Sequence, residues 1–208
     1  MLMLLIPAMS LSYLLINKFS GSAHDITIHL DSHIPFLKIF VIPYIIWYLF
    51  VPGSFLMLCL KDKRVYYKTI LVYSLGCILA SIIFILYQTT VPRTQIYGND
   101  ILTKIMLLVY ANDKPVNCLP SIHVFTCYLI MRAIPASNLK SLRNNLITAF
   151  FSITIILSTL FTKQHAILDV LTGILLAELL IFLVNRYEVP LLELTKKDLF
   201  SFFYRQRI

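Results

Sequence analysis

His165 and Asp169 are the residues whose types and spacing point most clearly to chemistry. They lie four positions apart at the start of an apolar segment, so a helix would place them on one face, one turn apart. A carboxylate in so apolar a segment is costly unless it has a partner, and such a residue is a candidate for a functional site. A histidine held by a carboxylate has a fixed tautomer and can act as a nucleophile or a base.

A second polar cluster, Ser121 and His123, follows Pro120 at the mouth of another apolar segment. Pro120 can open the helix of that segment, because the first helical position needs no N–H. Arg93, before this cluster, and Lys163, two residues before His165, add positive charge. The chain therefore offers two histidines, a carboxylate, two cations and a serine near the ends of apolar segments.

These side chains together could perform phosphoryl transfer. Cationic side chains and helix N-termini bind phosphate, so we expect Arg93, Lys163 and Ser121 to hold the phosphoryl oxygens. His165 would attack phosphorus and form a phosphohistidine, and His123 would protonate the leaving oxygen.

Other interpretations of these residues stay open. His123, His165 and Asp169 could instead bind zinc, although Arg93 and Lys163 would repel a metal. Each polar residue could also have a purely structural role, such as anchoring a helix end at the membrane interface. Glu178 lies nine residues after Asp169 and faces the other way on a helix, so we expect it to be bonded within the bundle.

Composition indicates an integral membrane protein. Of the 208 residues, 59% are hydrophobic and 13% are charged, and the mean hydropathy is +0.81, whereas soluble domains are about 25% charged. The net charge is +8, but no basic block with interleaved aromatics suggests nucleic acid. The length suits one domain, residues 1–208. The four cysteines form no disulfide framework, and Cys118 alone lies beside a polar cluster.

Six apolar segments predict an all-α, polytopic membrane helix bundle. Their ranges are about 2–16, 39–60, 69–87, 120–134, 146–161 and 166–184. The first is interpreted as a retained helix rather than a signal peptide, because no Lys or Arg precedes it. A shorter stretch, 101–110, predicts an interfacial helix. The polar connection 17–38 could lie on the membrane surface or fold back over the bundle, and Tyr44, Trp47 and Tyr48 are expected as interfacial anchors.

The basic residues orient this bundle. With both termini in the cytoplasm, twelve of the eighteen Lys and Arg residues fall in cytoplasmic segments and six fall outside, as the positive-inside rule requires. This orientation predicts a multi-pass cell-membrane protein with an extracytoplasmic active site. The histidines, Arg93, Ser121 and Lys163 then share the outer side.

Residues 89–173 resemble the type-2 phosphatidic acid phosphatase superfamily of integral membrane lipid phosphatases. The family signature comprises Lys-x6-Arg-Pro, Pro-Ser-Gly-His and Ser-Arg-x5-His-x3-Asp. The second stretch here reads Pro120-Ser121-Ile122-His123, and the third reads Ser158-Thr159-x5-His165-x3-Asp169. The first is represented only by Pro92-Arg93-Thr94. The resemblance is thus fairly specific in two of the three stretches.

The resemblance implies a lipid phosphatase that needs no metal or other cofactor. It implies His165 as the nucleophile, Asp169 as its orienter, His123 as the acid, and Arg93 and Ser121 as phosphate ligands. Three positions depart from the signature, because Leu86, Thr159 and Ile122 replace its Lys, Arg and Gly. Lys163 could replace one missing cation.

The departures leave the reaction open between three functions. The first is hydrolysis of a lipid phosphate or diphosphate, and the second is transfer of the phosphoryl group to another lipid or a polyol, as in similar sphingolipid headgroup transferases. The third is a catalytically silent lipid-binding relative.

Overall fold

The structure is a computed structural model that describes residues 2–18 and 21–186. Seven α-helices account for most of this part of the chain. Their bounds are α1 Leu5–Lys18, α2 Val41–Lys61, α3 Lys63–Leu86, α4 Ile101–Asn112, α5 Ile122–Ala133, α6 Leu142–Phe161 and α7 Ile167–Arg186. One parallel pair of two-residue strands, β1 His24–Asp25 and β2 Thr89–Thr90, connects two loops. The all-α class is confirmed.

Four helices are long and apolar enough to cross a membrane, namely α2, α3, α6 and α7. The predicted segments 2–16 and 120–134 coincide with the shorter apolar helices Leu2–Lys18 and Ile122–Ala136. The predicted interfacial segment 101–110 is also helical, as α4. Four basic residues used to orient the bundle lie outside the described residues: Lys196, Lys197, Arg205 and Arg207.

Polar side chains at the helix starts explain where several helices begin. Asp62, Asp100, Ser121 and Ser141 each accept a hydrogen bond from a backbone N–H in the first turn of α3, α4, α5 and α6. Such caps satisfy N–H groups that the helix itself leaves unpaired. Our expectation that Pro120 opens α5 is therefore wrong by two residues, because Ser121 caps a helix that begins at Ile122.

Helix α5 lies at the centre of the bundle, against α2, α3, α6 and α7. Two glycines allow the close approach. A Cβ on Gly76 of α3 would lie 2.1 Å from Cζ of the buried Phe125, and one on Gly173 of α7 would lie 2.8 Å from the carbonyl oxygen of Ser121. Contacts shorter than 3 Å leave no room for a side chain, so these glycines set the spacing of α3 and α7 from α5.

The connection 21–40 folds back over the bundle, which is one of the two arrangements expected for it. Asp31, which is buried, accepts hydrogen bonds from the N–H groups of Ile28 and Ile167. The Leu37 N–H donates to the carbonyl of Phe161. The connection therefore holds the junction between α6 and α7.

Glu178 is bonded within the bundle, as expected. Its Oε1 accepts a hydrogen bond of 2.6 Å from the Tyr128 hydroxyl and pairs with Arg132. Both partners lie on α5, so this acid connects α5 to α7.

Candidate active site

The predicted pairing of His165 with Asp169 is confirmed, but the expected helical turn between them is wrong, because α7 begins at Ile167 and His165 precedes it. His165 Nδ1 lies 3.1 Å from Asp169 Oδ2, and the Asp169 carboxylate is fully buried in the first turn of α7. The same Oδ2 accepts the Ala166 N–H at 2.8 Å. Since Nδ1 is held by the carboxylate, Nε2 of His165 remains for chemistry. Asp169 thus fixes both the ring orientation and the tautomer.

The turn that presents His165 is a Schellman motif at the end of α6. The N–H groups of Lys163 and Gln164 donate to the carbonyls of Leu160 and Thr159, and Lys163 has a φ of 54°. Glycine is usual at this left-handed position, and a residue with a Cβ costs about 1–2 kcal/mol there. The Lys163 Nζ donates to the Asp31 carbonyl at 3.0 Å. This lysine therefore has a structural contact, and its predicted role in phosphate binding stays a prediction.

His123 is the second histidine of the site and lies on the first turn of α5. Its ring centroid is 5.8 Å from that of His165. Tyr44 and Trp47 of α2 pack on its ring at centroid distances of 4.7 and 4.1 Å. His123 Nε2 is buried and has no hydrogen-bond partner among residues 2–18 and 21–186. A single substrate group between the two rings would be within reach of both imidazoles.

Two aromatic residues that we expected as interfacial anchors, Tyr44 and Trp47, pack on this histidine. Tyr44 is fully buried, and its hydroxyl donates to Asp113 at 3.1 Å. Trp47 donates through its indole nitrogen to Thr126 at 2.8 Å. Such contacts across 79 residues have no local signal in the sequence. The anchor interpretation is wrong for Tyr44, which is fully buried, and it stays a prediction for Trp47. Tyr48, by contrast, is exposed.

Ser121 joins the two helices that carry the histidines. Its side chain is fully buried and accepts the Val124 N–H at 3.3 Å as the cap of α5, while its own N–H donates to the Asp169 carbonyl at 3.3 Å. The close approach at Gly173 occurs at this same point. Ser121 therefore fixes the separation of His123 and His165, and its expected role as a phosphate ligand stays a prediction.

Arg93 lies beside the site and bonds to the protein. Its guanidinium donates to the carbonyls of Tyr110 and Asp113 and to the side-chain oxygen of Gln164. Arg93 also packs 4.3 Å above the Tyr110 ring. These contacts attach the loop after α3 to α4 and to the residue before His165. Direct phosphate binding by Arg93 stays a prediction.

A cavity of about 460 Å³ opens beside the histidines. It has mostly apolar walls from α1, α2, α3 and α4, and both His123 and His165 line it. Its other polar residues include three near the end of α4 and in the loop before α5: Asn112, Asp113 and Asn117. The volume is in the range of small-molecule sites. An apolar cavity with two histidines at one end can take a molecule with an apolar body and a reactive polar group.

Asp113 collects donors from two helices. Its Oδ1 accepts the Tyr13 hydroxyl at 2.9 Å and Asn17 Nδ2 at 3.3 Å, and its Oδ2 accepts the Tyr44 hydroxyl. The carboxylate therefore ties α1 and α2 to the end of α4. Because Tyr44 also stacks on His123, Asp113 supports the position of that histidine indirectly.

One group of possible metal ligands occurs among the described residues, namely Cys118, His165 and Asp169, whose ligand atoms all lie within 4.8 Å of one another. The zinc alternative from the sequence used His123 in place of Cys118. Burial raises the pKa of the Cys118 thiol above its ordinary value. The oxygen of Asp169 that contacts His165, Oδ2, also accepts the Ala166 N–H. Its other oxygen, Oδ1, has no partner among the described residues, so the zinc alternative stays a prediction.

Sequence reasoning missed the two buried amides next to the motifs. Asn117 and Gln164 are 2% and 4% exposed, and each has a side-chain nitrogen without a partner in the described part of the chain. Asn117 also has a left-handed backbone, with φ of 61°. The available signal was their position, since Gln164 comes one residue before His165 and Asn117 four before Ser121.

Comparisons with protein-family models, with curated proteins and with solved structures find no match to this chain. The resemblance to the type-2 phosphatidic acid phosphatase superfamily therefore depends on the motif residues alone, and membership of that family stays a prediction.

Proposed function

We propose that this protein is a membrane lipid phosphatase that hydrolyses a lipid phosphate or diphosphate through a phosphohistidine at His165. The observation that carries the proposal is the joint geometry of the two histidines. One is bonded to a buried carboxylate, the other lies 5.8 Å away, and both line the same apolar cavity. A general acid and an activated nucleophile must reach the same substrate group.

The reaction has two steps. His165 Nε2 attacks the terminal phosphorus, the bond from that phosphorus to the leaving oxygen breaks, and His123 donates a proton to this oxygen. The leaving group is the lipid alcohol when the substrate is a monophosphate and the lipid monophosphate when it is a diphosphate. Water then attacks the phosphohistidine phosphorus, the bond from phosphorus to Nε2 breaks, a proton of the water returns to His123, and inorganic phosphate is released. Asp169 stabilises the positive charge that His165 acquires in the first step.

We propose six spans, cytoplasmic termini and an outer-face site, as the charge distribution predicts.

A second candidate, transfer of the phosphoryl group to another lipid or a polyol, uses the same first step. One observation favours it, because the His165 side chain is only 10% exposed and lies in an apolar cavity. Limited access of water would favour a hydroxyl acceptor that binds in the cavity. Free phosphate would indicate hydrolysis, and a new phosphorylated lipid would indicate transfer.

The test is phosphate release by the purified protein in detergent, from a panel of lipid phosphates and diphosphates, with EDTA present. We expect release in wild type and none in His165→Ala. The matched control is His33→Ala, since His33 is a histidine of the connection 21–40, away from the cavity. Release that depends on added metal, or that survives His165→Ala, would contradict the proposal. No turnover with or without acceptor lipids would favour the silent, lipid-binding alternative.

A further inference from the structure

One buried side chain beside the histidines has no part in the mechanism above. Asn117 is 2% exposed and lines the cavity that His123 and His165 also line. Neither Nδ2 nor Oδ1 of its carboxamide has a hydrogen-bond partner among the described residues. Buried polar groups are nearly always paired, so an unpaired one in a cavity needs an explanation. A ligand that pairs with this amide supplies one.

The cationic side chains that would hold a phosphate have other partners or are absent. Leucine and threonine occupy two of the cationic positions of the motif, at 86 and 159. Arg93 donates to two backbone carbonyls and to Gln164, and Lys163 donates to the carbonyl of Asp31. Asn117, by contrast, lines the cavity that the histidines line, and both polar atoms of its buried carboxamide are unpaired among the described residues.

We propose that Asn117 is a phosphate-binding residue, whose Nδ2–H donates to a phosphoryl oxygen while His165 attacks phosphorus. This inference rests on the proposed function, because it places the substrate phosphate between His123 and His165. A neutral donor aimed at the position where charge develops stabilises a transition state in a site shielded from water. Asn117 would thus stabilise charge that Arg93 and Lys163, which bond to the protein, leave without a donor.

The backbone gives Asn117 a competing, purely structural explanation. Its φ of 61° is left-handed, and asparagine tolerates this conformation better than most residues. Glycine also tolerates it, so Asn117→Gly keeps the backbone conformation and removes the side chain with its carboxamide. Asn117→Asp keeps shape and backbone preference but replaces the donor by a negatively charged oxygen.

The kinetic test compares these variants on a short-chain lipid phosphate, dioctanoyl phosphatidate, in detergent. We expect Asn117→Gly to lower kcat by about 100-fold and Asn117→Asp to lower it at least as much. Asn144→Ala is the matched control, because Asn144 does not line the cavity and its carboxamide donates to the Leu139 carbonyl. It should stay within about twofold of wild type. A kcat for Asn117→Gly within about twofold of wild type would overturn the inference. If Asn117→Gly does not fold, Asn117→Asp decides by the same criterion.

A binding test separates this inference from the proposed activity. Trp47 is the single tryptophan of the chain and lines the cavity, so its fluorescence reports occupancy. In a His165→Ala background, dioctanoyl phosphatidate should change Trp47 fluorescence, and Asn117→Gly should weaken the apparent affinity at least about fivefold. If wild type binds in this Asn117-dependent way without turnover, the phosphatase proposal fails and the inference stands. If Asn117→Gly leaves the affinity unchanged, or wild type does not bind, the inference fails.

Discussion

The two ends of the helix bundle differ in how their buried polar groups are paired. We call the end with His123, His165 and Asp169 the histidine end, and the end with the turn at Asp62 between α2 and α3 the opposite end. Among the described residues, unpaired buried side-chain atoms at the histidine end belong to Asn17, Arg93, Asn117, His123, Gln164 and Asp169. At the opposite end such an atom occurs in Asn145.

The opposite end also has a cavity, of about 530 Å³, but several of its polar residues contact the protein. Asp62 accepts the N–H groups of Val65 and Asn138, and Arg132 pairs with Glu178. Cavity volume therefore does not distinguish the two ends. The difference lies in unpaired polar atoms, which cost stability unless a ligand satisfies them. We therefore place the chemistry at the histidine end and a structural role at the opposite end.

The largest loss of turnover is expected from substitution of Asp169, and Glu178, the other acid of α7, serves as its control. Asp169→Asn should lower turnover by about a thousandfold or more, because the amide cannot stabilise a charged His165 and favours the wrong tautomer. Glu178→Gln is the matched control and should leave turnover within about twofold, since Glu178 bonds to Tyr128 and Arg132, away from the histidines. Phosphate release measures both. Equal losses in the two variants would remove the distinction between the ends.

The second largest loss of turnover is expected from a steric change at Gly173, where α7 packs closely on α5. Gly173→Ala places a methyl group 2.8 Å from the Ser121 carbonyl, so α5 and α7 must separate and His123 and His165 move apart. We expect turnover to fall by about 10- to 100-fold, because a displacement near 1 Å can cost that much. Gly53→Ala is the control, since a Cβ on Gly53 would lie in open space, with no atom within 4 Å beyond its chain neighbours and the nearby backbone of its own helix. Normal turnover in Gly173→Ala would show that helix spacing does not set the site.

How much of this arrangement the sequence could predict depends on the range of each contact. The sequence predicted that His165 pairs with Asp169, although His165 lies in the turn before α7 and not on the helix as expected. The helical segments followed from apolar runs. The packing of Tyr44 and Trp47 on His123 could not be predicted, because it joins separate helices. The hydrogen bonds from Arg93 to backbone carbonyls could not be predicted either, because every residue has a carbonyl and its residue type does not reveal such a partner.

Substitution of Arg93 tests whether this cation of the histidine end binds the substrate or stabilises the fold. Arg93→Lys cannot reproduce three simultaneous hydrogen bonds from a planar guanidinium. We expect a loss of about 2 kcal/mol in the free energy of unfolding and a lower kcat, with KM within about twofold. Thermal unfolding in detergent and steady-state kinetics separate these effects. A raised KM with unchanged stability would instead assign Arg93 to the phosphate.

The smallest effect on chemistry is expected at the opposite end. Asp62→Ala removes the cap of α3 and the bond to the Asn138 N–H. The free energy of unfolding should fall by about 1–2 kcal/mol, while kcat and KM at a temperature where the variant is folded stay at wild-type values. A change in kcat comparable to that of Gly173→Ala would show that the two ends are coupled.

The most direct test of the central claim is capture of the covalent intermediate. Wild-type protein would be mixed with a lipid phosphate carrying radioactive phosphorus, denatured in alkali within the first turnover, and digested. The account predicts alkali-stable, acid-labile label on the peptide that contains His165, and no label in His165→Ala. Turnover without any label on His165, or label on another residue, would contradict it.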